Sequence, residues 1–109
     1  LNFGHTLGHA LENQYELSHG QAVSIGMTYA AHLSESFLNF RGTEKLVDLI
    51  GQYELPTYAD FDRKKVFGVL KHDKKRERDK LHYILLNKIG KAVVHTLPLN
   101  EVELIIEQL

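Results

Sequence analysis

The stretch LNFGHTLGHALENQYELSHG, residues 1–20, holds three of the seven histidines and three of the eight glycines of this 109-residue chain. His5 and His9 are four residues apart, so on an α-helix they project from nearly the same face and can serve one site. Gly4 and Gly8 repeat that spacing, although each glycine lowers the stability of a helix by about 1 kcal/mol. Because glycine also lets a ligand or another backbone come close, the pattern predicts a first helix built around a site.

The second half of this stretch predicts how a third histidine joins the first two. The apolar pattern weakens after Glu12, and the pair His19-Gly20 is predicted to form a turn into a second helix. That turn can fold His19 back towards His5. Neutral imidazole nitrogen is a preferred ligand of zinc, and a catalytic zinc usually has three protein ligands and one open position. Either His9 is the third ligand or that ligand lies outside the stretch; the alternative without metal is a set of hydrogen-bonded helix histidines.

Apolar periodicity predicts three further helices in the middle of the chain. They are expected from about Gln21 to Phe40, from the N-cap Thr43 to just before Gly51, and from Asp60 or Asp62 to near His72. Gly26 lies inside the first of these helices, where the missing side chain indicates close packing against the helix of His5. His32, further along the same helix, is predicted to be structural or exposed.

The end of the chain is predicted to form a β-hairpin and a last helix. Residues 81–86 and 92–96 are short and rich in β-branched or aromatic side chains, and Gly90 lies in the connection between them. The histidines of the two strands are assigned no chemistry. Asn100 is the predicted N-cap of the last helix. The predicted fold class is therefore mostly α, with about five helices and one small β-hairpin.

Residues 71–80 are the most highly charged stretch, with six lysines and arginines against three acidic residues. A solvated loop is one interpretation, because runs of charge are usually surface. The other interpretation is an anion site, in which lysine ammonium groups bind a phosphate or a carboxylate.

Composition and length narrow the class of protein. The net charge of −1 argues against nucleic acid as a bulk electrostatic partner, and no apolar run is long enough to cross a membrane. The absence of cysteine excludes disulfides and thiol metal ligands and is compatible with a cytoplasmic location. A chain of 109 residues that begins with leucine is expected to be one small domain, a C-terminal fragment of a longer enzyme.

Five motifs together resemble one known family. They are NFGHTLGHALE at residues 2–12, HG at 19–20, AVSIGM at 22–27, KHDKK at 71–75 and IGKA at 89–92. In this combination the chain resembles the 3-dehydroquinate synthase family over most of its length. The resemblance implies that residues 1–109 are the C-terminal metal- and substrate-binding helical domain of a two-domain enzyme. The N-terminal α/β domain of that enzyme, absent from this chain, would bind NAD.

The activity implied by the resemblance is conversion of 3-deoxy-D-arabino-heptulosonate 7-phosphate to 3-dehydroquinate and phosphate, in the shikimate pathway of aromatic amino acid biosynthesis. Transient oxidation by NAD, phosphate elimination, re-reduction, ring opening and aldol closure would share one site. The implied partners are this phosphorylated sugar acid, NAD and a zinc or cobalt ion, in a cytoplasmic homodimer. Without the NAD-binding domain, the fragment alone is expected to be inactive.

Five residues of this chain receive roles from the resemblance. His5 and His19 match the two zinc-binding histidines of the family, whose third ligand is a glutamate outside this chain. His9 matches a histidine that is not a ligand but helps to move the proton released from the substrate hydroxyl. Asn2 matches a substrate-binding asparagine, and Lys74, chosen over its neighbour in the DKK motif, matches a lysine that contacts the substrate.

The sequence also departs from the family, and other classes of protein remain open. Gln21 follows His19-Gly20 where the family commonly has glutamate, which removes a charge near the metal. Within the same superfamily, the parent enzyme could be a cyclitol synthase or a metal-dependent polyol or alcohol dehydrogenase. From a different class, the chain could be a non-catalytic helical binding module whose histidines are structural.

Overall fold

The computed structural model describes residues 3–71 and 80–109, and within these ranges the chain forms five helices and one antiparallel hairpin. The elements are α1 (His5–Gln14), α2 (His19–Leu38), α3 (Thr43–Gln52), α4 (Arg63–Lys71), β1 (Lys80–Lys88), β2 (Lys91–Pro98) and α5 (Leu99–Glu107). The predicted fold class is confirmed. No helix in the described ranges is both long and apolar enough to cross a membrane.

Helix α2 is the longest helix described, and α1, α3, β1 and α5 all pack against it. It starts with a capping box, in which the Ser18 hydroxyl accepts from the Gln21 backbone N–H and the Gln21 side chain accepts from the Ser18 N–H. This reciprocal pair satisfies two otherwise unpaired helix donors. The predicted turn at His19-Gly20 is therefore wrong, because the helix begins at His19 and the turn lies in residues 15–18.

Helices α1 and α2 pack through glycine. A Cβ on Gly26 would overlap the Gly4 carbonyl oxygen and lie 2.9 Å from the Gly8 nitrogen, so only glycine fits there. From the α1 side, a Cβ on Gly8 would lie 3.1 Å from the carbonyl oxygen of Ala22. The prediction that Gly26 marks close packing against α1 is confirmed. The two helices consequently meet backbone to backbone at the end that carries the histidines.

The main hydrophobic core is built in part from the apolar face of α1 and from strand β1 of the hairpin. Leu7 and Leu11 of α1 are fully buried, as are Tyr83 and Leu85 of β1. In β1 the side chains alternate towards the core, whereas β2 exposes most of its residues. The hairpin therefore covers the core with β1 and leaves β2 at the surface.

One buried hydroxyl fastens β1 to α2. Ser34 Oγ donates to the carbonyl oxygen of Ala30 at 2.8 Å, which is a bond within α2, and accepts from the backbone N–H of Leu86 at 2.9 Å. Ser34 is completely buried. A buried polar group needs such partners, because burial without them costs the free energy of its lost hydration.

Three predicted helix starts are tested by the capping geometry. Thr43 is not the N-cap of α3: Gly42 holds that position and Thr43 is the first helical residue, with its hydroxyl turned inward to the Ala31 carbonyl at 3.3 Å. Asn100 lies inside α5, which begins at Leu99 after the N-cap Pro98. Of the two aspartates proposed for α4, Asp62 is confirmed. Its Oδ1 accepts from the first-turn backbone N–H groups of residues 64 and 65.

Candidate metal centre

The structure brings together the three histidines of the first twenty residues. The centroids of the His5 and His9 rings are 5.1 Å apart, as their spacing along α1 predicts. The His19 ring lies 5.4 Å from His5 and 6.0 Å from His9, because the short connection after α1 returns the chain alongside it. The cluster therefore forms from one face of α1 and the first residue of α2.

Two of these rings are held by hydrogen bonds at Nδ1. His5 Nδ1 lies 3.3 Å from the carbonyl oxygen of Phe3, and His19 Nδ1 lies 3.1 Å from Oε1 of Glu12. A carbonyl oxygen and an ionised carboxylate can only accept, so Nδ1 of each neutral ring carries the proton. Each Nε2 then has a free lone pair, which is the arrangement that metal-binding histidines commonly show.

His9 differs from its two neighbours. It is exposed and makes no hydrogen bond within the described residues, so neither ring nitrogen is committed to a protein partner.

The pair His5 and His19 fits a divalent cation in donor type and in spacing. Two imidazoles bound to one tetrahedral zinc ion, each with a Zn–N bond of about 2.1 Å, have ring centroids roughly 5 Å apart. The separation of 5.4 Å between these two rings agrees with that requirement, as does the 5.1 Å between His5 and His9, so the oxygen acceptors on Nδ1 and not the spacing single out His5 and His19. Within residues 3–71 and 80–109, no group of three or more His, Cys, Asp or Glu side chains is arranged to hold a metal ion.

Cavities open on both sides of the histidine cluster. A cavity of about 350 Å³ lies between α1, α2 and α3 and has His5 and His19 in its wall, where most other lining side chains are apolar. A larger cavity of about 550 Å³ lies between α1 and α4 and is lined by His9, Asn13 and Lys65, among others. Both volumes are in the range of small-molecule sites. The second cavity offers an amide and a cation for a polar, anionic ligand.

Sequence reasoning missed three residues of this region. Glu12 is seven positions after His5 and so lies on the same helix face, a signal that the sequence contains. Asn13 is four positions after His9, which is a signal of the same kind. Lys65 reaches the cavity because α4 packs on α1, and no local sequence pattern predicts that contact.

Two predicted site residues, Asn2 and Lys74, lie outside the described residues, and their roles stay predictions. The other described histidines lie away from the cluster. His32 Nε2 is 2.8 Å from the Tyr58 hydroxyl and its Nδ1 is 3.2 Å from Glu35, so it has a structural role, as predicted.

Tyr83 of β1 is fully buried in the main core. Burial raises the pKa of the Tyr83 hydroxyl far above its usual value of 10, although the Leu7 backbone offsets part of this effect. The hydroxyl has no hydrogen-bond partner of good geometry in the described part of the chain. Tyr83 thus packs in the core as a neutral, essentially apolar side chain.

Fold and site together describe a mostly helical domain with three histidines clustered where α1 and the start of α2 meet. The family described as 3-dehydroquinate synthase C-terminal matches residues 1–76, and the chain belongs to this family. This match confirms the resemblance seen in the sequence motifs.

Individual relatives agree with this assignment. The chain is 49% identical over 96 residues to the 3-dehydroquinate synthase of Methylacidiphilum infernorum, a match that covers 83% of this chain and 27% of that protein. It is 40% identical over 108 residues to the enzyme of the same name from Thermoanaerobacter pseudethanolicus, covering 94% of this chain and 30% of that protein. The chain therefore spans less than a third of the length of these relatives.

A solved structure shares the fold. It is a 2-deoxy-scyllo-inosose synthase complexed with carbaglucose-6-phosphate, NAD+ and Co2+, with a TM-score of 0.80 and 26% sequence identity. The similarity covers 97% of this chain and 34% of that one.

Proposed function

We propose that residues 1–109 are the metal- and substrate-binding C-terminal part of a 3-dehydroquinate synthase. The observation that carries the proposal is the pair His5 and His19, with ring centroids 5.4 Å apart and each Nδ1 held by an oxygen acceptor, in a chain of this family. The parent enzyme would convert 3-deoxy-D-arabino-heptulosonate 7-phosphate to 3-dehydroquinate and phosphate, as a homodimer. NAD would be bound mainly by a domain outside this chain.

The metal ligands of the proposal are Nε2 of His5 and of His19, together with a glutamate outside this chain. A bound zinc or cobalt ion would supply Lewis acidity at the substrate hydroxyl that is oxidised. The contribution of the chain itself is orientation, because the acceptors on Nδ1 hold both rings in the tautomer that offers Nε2.

In this proposal His9 accepts the proton from the substrate hydroxyl. Its ring lies 5.1 Å from the ring of His5, one of the proposed metal ligands, and it is exposed and so can pass the proton to water. The cavity beside it would hold the polyhydroxylated substrate, with the ammonium of Lys65 near an anionic group. Asn2 and Lys74 are proposed as further substrate contacts.

Calorimetric titration of the chain with zinc and with cobalt tests the metal site. His5→Ala and His19→Ala are expected to lose zinc and cobalt binding, whereas His9→Ala is expected to bind these metals as tightly as the unsubstituted chain. Below pH 5.5 binding should weaken, because protons compete for the same nitrogen lone pairs. If His9→Ala loses binding as fully as the other two variants, the site contains three histidine ligands and the proton-transfer role of His9 is wrong.

A cyclitol synthase is the second candidate function, favoured by the TM-score of 0.80 to the 2-deoxy-scyllo-inosose synthase. Phosphate release by the full-length enzyme that contains this chain separates the two candidates. Release from the heptulosonate phosphate supports a dehydroquinate synthase, while release from a hexose 6-phosphate alone supports a cyclitol synthase. The 109-residue chain by itself is expected to release phosphate from neither substrate.

A further inference from the structure

We infer that Glu12 is the positioning residue of His19, fixing the tautomer in which Nε2 of His19 faces the metal. The inference rests on the proposed function, since it assigns a task to a residue beside the proposed metal ligands. Glu12 lies in the last part of α1 and His19 is the first residue of α2, and their side chains meet at 3.1 Å between Oε1 and Nδ1.

The chemistry of the two groups determines which one donates the hydrogen bond. An ionised carboxylate has acceptors only, so the neutral imidazole must place its proton on Nδ1 to form the bond. Nε2 is then unprotonated and offers its lone pair as a ligand. At His5 the acceptor for Nδ1 is instead the carbonyl oxygen of Phe3. The two proposed ligands are thus oriented by two different acceptors, one of them a side chain that substitution can remove.

The contact between Glu12 and His19 contributes little to the stability of the fold. The side chain of Glu12 is 36% exposed and that of His19 is 58% exposed, and ion pairs at such exposed positions contribute little to folding. Glu12 lies seven residues after His5 and three after His9, so it occupies the same face of α1 as the cluster. Glu12 therefore lies where its carboxylate can reach the histidine cluster.

Nitrogen-15 NMR of the imidazole rings tests the inference in the metal-free chain, near pH 8, where unperturbed imidazoles are neutral. The wild-type chain is expected to show His19 in the Nδ1–H tautomer. In Glu12→Ala the ring is expected to shift to a mixture dominated by the Nε2–H form. Glu12→Gln keeps an acceptor oxygen without the charge, and it should preserve the Nδ1–H form.

Metal affinity provides the second readout, by titration of the same chains with Co2+. Loss of an outer acceptor typically weakens metal binding by about 10- to 100-fold, so Glu12→Ala should lose at least tenfold while Glu12→Gln stays much closer to wild type. Glu16→Gln is the matched control. It removes one negative charge from the exposed connection before α2, where Glu16 makes no hydrogen bond within the described residues, and it should leave affinity and tautomer unchanged.

Each outcome bears on one of the two proposals. An unchanged tautomer and unchanged affinity in Glu12→Ala overturn the positioning role and leave the metal site intact. Equal losses in all three variants show that net charge matters and position does not, which also overturns it. If the wild-type chain keeps the Nδ1–H form but binds no Co2+, the metal site itself fails while the hydrogen bond stands. Circular dichroism of every variant should match wild type, since the contact is exposed.

Discussion

Helix α2 makes two very different contacts along its length. Near its start it meets α1 backbone to backbone at Gly26, which lies against the Gly4 carbonyl and the Gly8 nitrogen. Near its end it meets β1 through side chains, and the buried hydroxyl of Ser34 bonds the strand directly. The first contact sets the spacing of the histidines, whereas the second holds the hairpin over the core. We therefore expect substitutions at the first to affect stability and metal binding together, and those at the second to affect stability alone.

The largest effect is expected from Gly26→Ala. The added methyl group would collide with the Gly4 carbonyl and the Gly8 nitrogen, which are main-chain atoms that cannot rotate away. Forcing the helices apart should lower the free energy of unfolding by about 3 kcal/mol, measured by urea denaturation. Zinc affinity should fall in the same variant, because His5 and His19 lie on different sides of this contact.

Gly51→Ala is the control for this substitution. Gly51 lies in the last turn of α3, and a Cβ there would have no neighbour within 4 Å among residues 3–71 and 80–109. Replacement of a helical glycine by alanine at such a site stabilises by up to about 1 kcal/mol. Similar losses in both glycine variants would contradict the backbone-contact explanation.

An intermediate effect is expected from Ser34→Ala. The substitution leaves the backbone N–H of Leu86 buried without its partner, which should cost about 1–3 kcal/mol in denaturant unfolding. Zinc affinity should remain that of the wild type, in contrast to Gly26→Ala. Ser36→Ala, on the exposed side of the same helix, serves as the control and should change little. A loss of zinc binding in Ser34→Ala would show that the two contacts of α2 are not separable.

The smallest effect at neutral pH is expected from Tyr83→Phe. Within the described residues the lost hydroxyl has no well-formed hydrogen bond, so the free energy of unfolding should change by less than about 1 kcal/mol. Below pH 10 both the folded and unfolded chains keep the phenolic proton, and this group causes no pH dependence. Above pH 10 the unfolded chain releases the proton while burial raises the pKa in the folded chain, so stability falls as pH rises.

The dependence of the free energy of unfolding on pH above pH 10 isolates the contribution of Tyr83. One such tyrosine contributes up to about 1.4 kcal/mol per pH unit, and burial also raises the pKa of Tyr29, with the same sign. Above pH 10, the free energy of unfolding of Tyr83→Phe should therefore fall less steeply with pH than that of the wild type. The part of the decrease that is due to Tyr29 should remain. An unchanged slope would mean that the Tyr83 hydroxyl reaches water in the folded chain.

The sequence predicts the histidine cluster better than the limits of the helices around it. The convergence of the histidines follows from helical spacing plus a short return, and both features are local. Glycine at position 20 favours a turn, but the stronger local signal is the capping box from Ser18 to Gln21, which starts α2 at His19. Lys65 could not be predicted, because its place beside His9 depends on packing between helices about fifty residues apart in the chain.

The connection between α1 and α2 has a consequence for folding kinetics. It spans only residues 15–18, so the two helices can meet after closing a very short loop, at a small cost in chain entropy. Contacts between neighbours in sequence form faster than those that join distant segments. The helical hairpin that carries His5 and His19 is therefore expected among the first structures to form, well before β1 reaches Ser34. Nascent chains would then display the paired imidazoles while the rest of the core is still being assembled.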